Sequence, residues 1–456
     1  MDIHNHIGCR PIPRQFGAAL AVLLLTCLGE IASAAQALPD DAEGGCRFES
    51  AELAGWFEAG AVTLNGAAKP ADSLNFSDNS HCDFHKWAAR MFLWLTSPAS
   101  GGGMTFQSRD FYAVSPPANG KRTLTPNDPG KTDNFLTLRT SKMLETGMPG
   151  MGHGVLMAQT RSLVYDGSFV NDVFAYFLTG AKTGRFNFNR FPIFASDLNQ
   201  ISALAMQQDG ITFPHPETLA LEVKATWVNI TGLGAAGLDP NKYIRMTAMI
   251  PDYHTSDPTE QRWTRKSKPA KAELALVGMH VVGSAFGNSD MIWATFEHVD
   301  NTPIGSYAYK STSGGRIDVP PSTGGPWLFS RSNPGPFNEM RMHARNAPDI
   351  QAEAGKTIAP SDTRRDVPWG SSTNDPAHNA RVIEINRGTM GMLASDDVRR
   401  NYLLIGSTWH LGVGSNQLAN TTMETYEQTK NCFRCHHGDF PDGTSIMYKA
   451  IQPLFP

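Results

Sequence analysis

Leu221-Glu222-Val223-Lys224-Ala225-Thr226-Trp227 alternates apolar and polar side chains without a break. A strand points successive side chains to opposite faces. Leu221, Val223, Ala225 and Trp227 therefore share one face, and Glu222, Lys224 and Thr226 the other. The pattern predicts a sheet with one buried face and one wet face. Two longer runs extend that reading. Residues 274–282 and 291–298 are almost continuously apolar, as in strands covered on both sides. Residues 154–165, 173–178 and 243–250 are further strand candidates.

Helical patterning is sparser. Phe84, Trp87, Ala88, Met91 and Leu95 recur at helical spacing over 83–95, and Gly101-Gly102-Gly103 breaks the pattern. A short amphipathic stretch covers 51–57, and 195–208, 338–352, 395–400 and 417–429 are the other helix candidates. Gly, Pro, Ser and Asp concentrate over 315–335 and 355–380, which read as long surface loops. No internal repeat is visible. The expected class is mainly β with peripheral helices (α+β). A large antiparallel β-sandwich or barrel-like domain would span 38–410, with a helical segment over 411–456 packed on it.

The chain has 456 residues, 39 Lys+Arg against 43 Asp+Glu, a net charge of −4 and 41% hydrophobic residues. That apolar content fills a core and excludes a wholly disordered chain. With no polycationic surface to neutralise phosphates, nucleic acid is not an expected partner.

Arg10 and Arg14 precede an apolar run over 16–28, and Ala32-Ser33-Ala34 and Ala35-Gln36-Ala37 each offer a small-residue cleavage site. Basic, then apolar, then small is the order of a secretory signal peptide. The run, at about 13 residues, is shorter than the roughly 20 a membrane-spanning helix needs. Residues 1–34 are thus expected to be removed near Ala34 or Ala37, leaving a periplasmic chain with no membrane span. Losing Arg10, Arg14, Asp2 and Glu30 leaves the net charge at −4.

Near the C-terminus, Cys432-Phe433-Arg434-Cys435-His436 has the spacing of covalent c-type haem attachment. Two thiols three positions apart can add to the two vinyl groups of one porphyrin. The histidine that follows can reach under the ring to the iron. One covalently bound haem c is therefore the expected cofactor, with His436 as an axial ligand. Met447 is the candidate for the sixth position, and His85, His280, His298, His410 or water are the others. A methionine there raises the potential and suits electron transfer, whereas an open face permits small-molecule chemistry. A redox dithiol is an alternative, though no βαβ unit surrounds the motif. So is a zinc site completed by Cys46, Cys82, His81 or His85.

Cys46 and Cys82 remain as a pair in an oxidising compartment, where a disulfide would close a loop of about 36 residues and stabilise by about 3–4 kcal/mol. Two other groups have acid–base character. His280 sits in the 274–282 run, on the face expected to carry Leu274, Leu276 and Val282, and reads best as a satisfied core histidine. Glu297-His298-Val299-Asp300 brings acid, base and acid together after a buried strand. No nucleophile elbow, phosphate loop or dinucleotide fingerprint is present, so a catalytic set is not defined.

His81-Cys82-Asp83-Phe84-His85-Lys86-Trp87, Phe92-Leu93-Trp94-Leu95-Thr96, Trp293-Ala294-Thr295-Phe296-Glu297-His298-Val299-Asp300-Asn301 and the stretch from Leu418 to Tyr426 lead up to the cysteine motif. Together they resemble exported bacterial proteins of the cytochrome c family that carry one C-terminal haem motif. The resemblance runs from about residue 45 to the end. It implies haem binding at Cys432, Cys435 and His436, electron transfer, and periplasmic redox proteins as partners. It names no substrate. A haem enzyme of peroxidase or oxidase type, or a haem-based sensor, is the alternative expectation.

Overall fold

The computed structural model describes residues 38–128, 139–140, 154–331, 344–371, 375–434, 436, 440, 444–445 and 447–456. Residues 1–34, the expected signal segment, and Cys435 lie outside them. The described helices are α1 (Ser50–Gly55), α2 (His81–Leu95), α3 (Asp172–Lys182), α4 (Ala195–Asp209) and α5 (Pro376–Met392). The strands begin with β1 (Phe111–Val114), β2 (Leu124–Pro126), β3 (Arg139–Thr140), β4 (Tyr165–Asn171) and β5 (Leu221–Asn229). They continue with β6 (Arg245–Ile250), β7 (Tyr253–His254), β8 (Arg262–Arg265), β9 (Ala270–Ala285) and β10 (Asn288–His298). The last are β11 (Tyr307–Lys310), β12 (Arg316–Val319), β13 (Ala344–Ala347), β14 (Asp349–Ala352), β15 (Tyr402–Trp409) and β16 (Val413–Gly414).

The fold is mainly antiparallel β with peripheral helices, as the patterning implies. One large sheet runs β16-β15-β10-β9-β5-β4-β1-β2, with β6 also paired to β9 and β3 to β4. The sheet is open, so the barrel form of the expectation does not hold. Two smaller sheets are β11-β12 and β13-β14-β8-β7.

Strand β5 lies in the middle of the large sheet, and its alternation works as read on the apolar side. Leu221, Val223, Ala225 and Trp227 are all fully buried. They join one cluster with Phe84, Trp87 and Met91 of α2 and Val382 and Ile385 of α5. Each of the larger aliphatic side chains, Leu221 and Val223 among them, stabilises the fold by about 1.5–3 kcal/mol through burial alone. Ser80 opens α2, its amide donating to Asp83 at 2.8 Å, which is one half of a capping box. The Cys46–Cys82 disulfide, with Cα atoms 5.1 Å apart, ties the first turn of α2 to the preceding segment.

A bulge corrects one reading along β9. Thr226 pairs with Gly278 but Trp227 pairs with Leu276, so Val277 is the extra residue. The faces swap there. Leu274 and Leu276 share the apolar cluster with Met279 and Val281, whereas His280 and Val282 point the other way. His280 is therefore not on the face of Leu274 and Leu276.

Other expectations are corrected as well. The run 173–178 is not a strand but lies inside α3, which starts on an Asn171 side chain accepting from the Phe174 amide at 3.0 Å. Val173 to Leu178 are buried on every side, which removes the helical period from the sequence. The described part of 338–352 is a hairpin, with Ala347 paired to Asp349 around Pro348. A helix cannot run through that proline without losing a hydrogen bond. The stretch 417–429 is a series of turns, and among its described residues the C-terminal segment is not helical beyond a single 3₁₀ turn over Cys432–Arg434. Residues 395–400 give a 3₁₀ turn over Val398–Asn401. In 154–165, Met157 bridges Leu163, and only Tyr165 enters a strand. Helix α5 begins inside the expected loop 355–380. It buries His378, Asn379, Glu384 and Asn386, polar residues that disguise its core face.

Candidate functional site

The polar face of β5 is covered rather than open, with Thr226 buried and Glu222 and Lys224 half-buried. Antiparallel register sets three rows of side chains across β5, β9 and β10. Glu222 lies beside Val282 and Trp293, Lys224 beside His280 and Thr295, and Thr226 beside Gly278 and Glu297. The chain from Ser415 onward crosses these rows in order and covers them.

The Thr226 row is met first. Thr226 and Thr422 share a hydroxyl hydrogen bond of 2.6 Å, and the Asn420 side chain donates to the Phe296 carbonyl at 3.1 Å. Glu297 accepts from the Thr421 amide at 2.6 Å and is ion-paired with Arg365, whose guanidinium also donates to the Ala419 carbonyl at 2.9 Å. Both members of this pair are buried. Gly278 is required here by space. A Cβ on it would sit 2.6 Å from Asn420 Oδ1 and 2.8 Å from Thr226 Oγ1, besides overlapping Thr422.

At the Lys224 row, His280 bonds Thr295 Oγ1 at 2.7 Å through Nδ1 and Glu424 Oε2 at 3.0 Å through Nε2. Thr295 in turn donates to the Leu418 carbonyl at 3.0 Å. Burial opposes ionisation of Glu424. His280, Lys224 and the Asn420 amide outweigh it and hold the carboxyl down at about 2. At the Glu222 row, Ser445 donates to Glu222 at 2.7 Å. Burial raises the Glu222 carboxyl above its ordinary range, and the Ser445 bond opposes that.

The cysteine motif sits at this end of the face. Cys432 opens the 3₁₀ turn, its amide donating to the Asn416 carbonyl at 3.2 Å, and the His436 amide returns to the Cys432 carbonyl at 3.1 Å. The His436 ring stands edge-on to Trp293 with centroids 4.4 Å apart, and Phe433 meets the same indole at 5.9 Å. Burial lowers the His436 imidazole to about 4, with Glu424 pulling the other way and His280 and Lys224 adding to the fall. The ring is thus neutral at pH 7. Its Nδ1 is buried and has no hydrogen-bond partner among the described residues. Trp293 also borders an aromatic cluster in which Phe440 packs 5.2 Å from Phe191 and 5.8 Å from Tyr448.

The other expected residues separate clearly. Met447 is 7% exposed and packs in that same aromatic cluster. His85 lies on the opposite face of the sheet, bonded to Ser407 at 2.6 Å. His298 uses both ring nitrogens, to the Lys242 carbonyl at 3.1 Å and the Asp300 amide at 3.2 Å, and stacks on Tyr243. It is a satisfied core group, lowered to about 4 by burial, and does not form an acid–base set with Glu297, which is committed to Arg365 and Thr421. His410 is exposed in the turn between β15 and β16. The zinc alternative loses two donors, because Cys46 and Cys82 are bonded to each other.

Glu222, Lys224, Trp293, Arg365 and Glu424 were not singled out as site residues from the sequence. The available signal was the charge on Glu222 and Lys224 in a strand flanked by apolar runs, which suits a covered polar face as well as a wet one.

A covalently held porphyrin is compatible with this donor set. Thiol, neutral imidazole and an aromatic wall are the chemistry that such a group uses. The orphaned Nδ1 of His436 is a buried polar atom that calls for a partner. Compared with protein-family models, curated proteins and solved structures, the chain matches none.

Proposed function

We propose that this chain is an exported, periplasmic mono-haem c-type cytochrome that transfers electrons. One haem c would be held covalently by Cys432 and Cys435 and ligated by His436, with residues 1–34 removed as a signal peptide. The observation that carries the reading is the half-buried, neutral His436, its Nδ1 buried without a partner among the described residues, at the end of a Cys-x-x-Cys-His motif on a face that seats that segment. The resemblance of the sequence to exported cytochrome c proteins points the same way.

When bound, the group would supply a one-electron iron couple. The chain's own residues have separable tasks. Trp293 fixes the plane of the His436 ring. The Glu297–Arg365 pair and the Asn420–Thr422 turn hold the segment down on the sheet. Phe191, Phe440, Tyr448 and Met447 form an apolar wall that keeps water away. Periplasmic redox proteins are the partners this reading calls for.

A second reading, a haem enzyme with an open iron face, is favoured by one observation. The His280–Glu424 pair, at 3.0 Å, places an acid–base couple in the electrostatic surroundings of His436. Optical spectra of the purified exported protein test both readings. The first expects haem bands that shift on reduction, a low-spin iron that refuses carbon monoxide, and altered bands in His436→Ala. Ready binding of carbon monoxide and cyanide supports the second. A colourless protein refutes both.

A further inference from the structure

Away from the C-terminal segment, a cleft of about 460 Å³ opens between the large sheet and the β7–β8 hairpin. Asn229 on its wall is three residues past Thr226 on β5, about 10 Å along the strand. The cleft is therefore separate from the face that seats His436.

Its floor is aromatic, formed by Tyr165, Tyr253 and Trp263, each nearly buried. Hydroxyl and amide groups make its rim, with Thr231 and Thr255 exposed at the mouth and Thr160 and Asn229 half-buried. One wall is strained. Arg161 has φ 64° and Glu260 φ 51°, left-handed values that a side chain with a Cβ rarely adopts. These two residues come from turns about 100 positions apart in the chain, yet they are ion-paired at 2.8 Å. Glu260 also accepts from the Trp263 indole at 3.1 Å, while Arg161 lies over that ring at 5.2 Å. Strained backbone held in place by its surroundings concentrates at ligand sites.

The charge arrangement narrows the ligand. Arg161 is paired with Glu260, Asp252 with Lys266 at 2.7 Å, and Lys271 is likewise engaged. Among the described residues, no charged side chain on the wall is without a partner. What remains is a set of hydroxyl and amide groups beside the edges of aromatic rings, which suits a ligand with many hydroxyls and apolar C–H groups. We propose that this cleft binds a neutral saccharide.

Calorimetric titration of the full chain with maltotetraose, cellotetraose and tri-N-acetylchitotriose tests the proposal, with trigalacturonate and chitosan trimer as charged counterparts. At least one neutral probe should bind. Thr231→Trp and Thr255→Trp, exposed substitutions that fill the mouth without touching the core, should each weaken it by about tenfold or more. Thr231→Ser should retain it. The proposal is overturned if no neutral probe binds, if only the charged probes bind, or if both tryptophan variants bind as well as the parent.

Discussion

The two faces of β5, β9 and β10 are built by different physics. On one, Leu221, Val223, Ala225 and Trp227 pack beneath α2 and α5 in an apolar cluster with no directional requirement. On the other, Glu222, Thr226, His280, Thr295 and Glu297 hold the C-terminal segment through hydrogen bonds. Apolar burial makes the sheet stable. Directed polar bonds give the segment carrying Cys432 and His436 a single seat. An alternating strand thus reports which face is apolar, and leaves open whether the polar face meets water or another part of the chain.

Substitutions on the two faces should separate these roles. Trp227→Ala, at a side chain with no exposure, should cost about 3–5 kcal/mol and lower the denaturant midpoint of the whole chain. Glu297→Ala strands a buried Arg365 and should cost a similar or slightly smaller amount, about 3 kcal/mol or more. Its signature should differ. Limited proteolysis should cut within 415–456 before the rest of the chain, which Trp227→Ala should not favour. Gly278→Ala forces a methyl group against Asn420 and Thr422 and should cost about 1–3 kcal/mol, again loosening the segment first. If Glu297→Ala and Gly278→Ala leave the segment as resistant to protease as in the parent, the polar face is not its seat.

Acid should act on both faces at once. His298 and His378 are lowered by burial to about 4 from an ordinary 6.5. Between those values the unfolded imidazoles bind protons and the folded ones do not, so stability falls as pH drops from about 6.5 towards 4. Asp172, raised to about 7 by burial, has the opposite sign and adds stability as pH falls from 7 towards 3.8. Glu222 and His215, both raised, also oppose the loss. With His85 and His81 also lowered by burial, the imidazoles outnumber them, and the midpoint at pH 4.5 should be below that at pH 7. His378→Gln should flatten the slope by a fraction, the smallest of these effects.

The sequence made β5, α2, α4, the Cys46–Cys82 pair and the Cys-x-x-Cys-His motif legible, because each is a local pattern. The seat was not legible. Glu297 meets Thr421 across 124 positions and His280 meets Glu424 across 144, and neither member of either pair carries a local sign of the other. Helices α3 and α5 were hidden for opposite reasons. The first is apolar all round, and the second puts Asn386 into the core to bond the Leu404 backbone at 2.8 Å. The bulge at Val277 inverted the faces of β9 with nothing in the apolar run to announce it.

A covalent haem on the seated segment, as proposed above, is open to direct test. The most direct measurement is the intact mass of the full chain, produced in an export-competent host and unfolded before analysis. The account predicts a polypeptide shortened at its N-terminus and heavier by one haem that survives denaturation, with the addition lost in Cys432→Ala combined with Cys435→Ala. A parent chain at its bare polypeptide mass would contradict it.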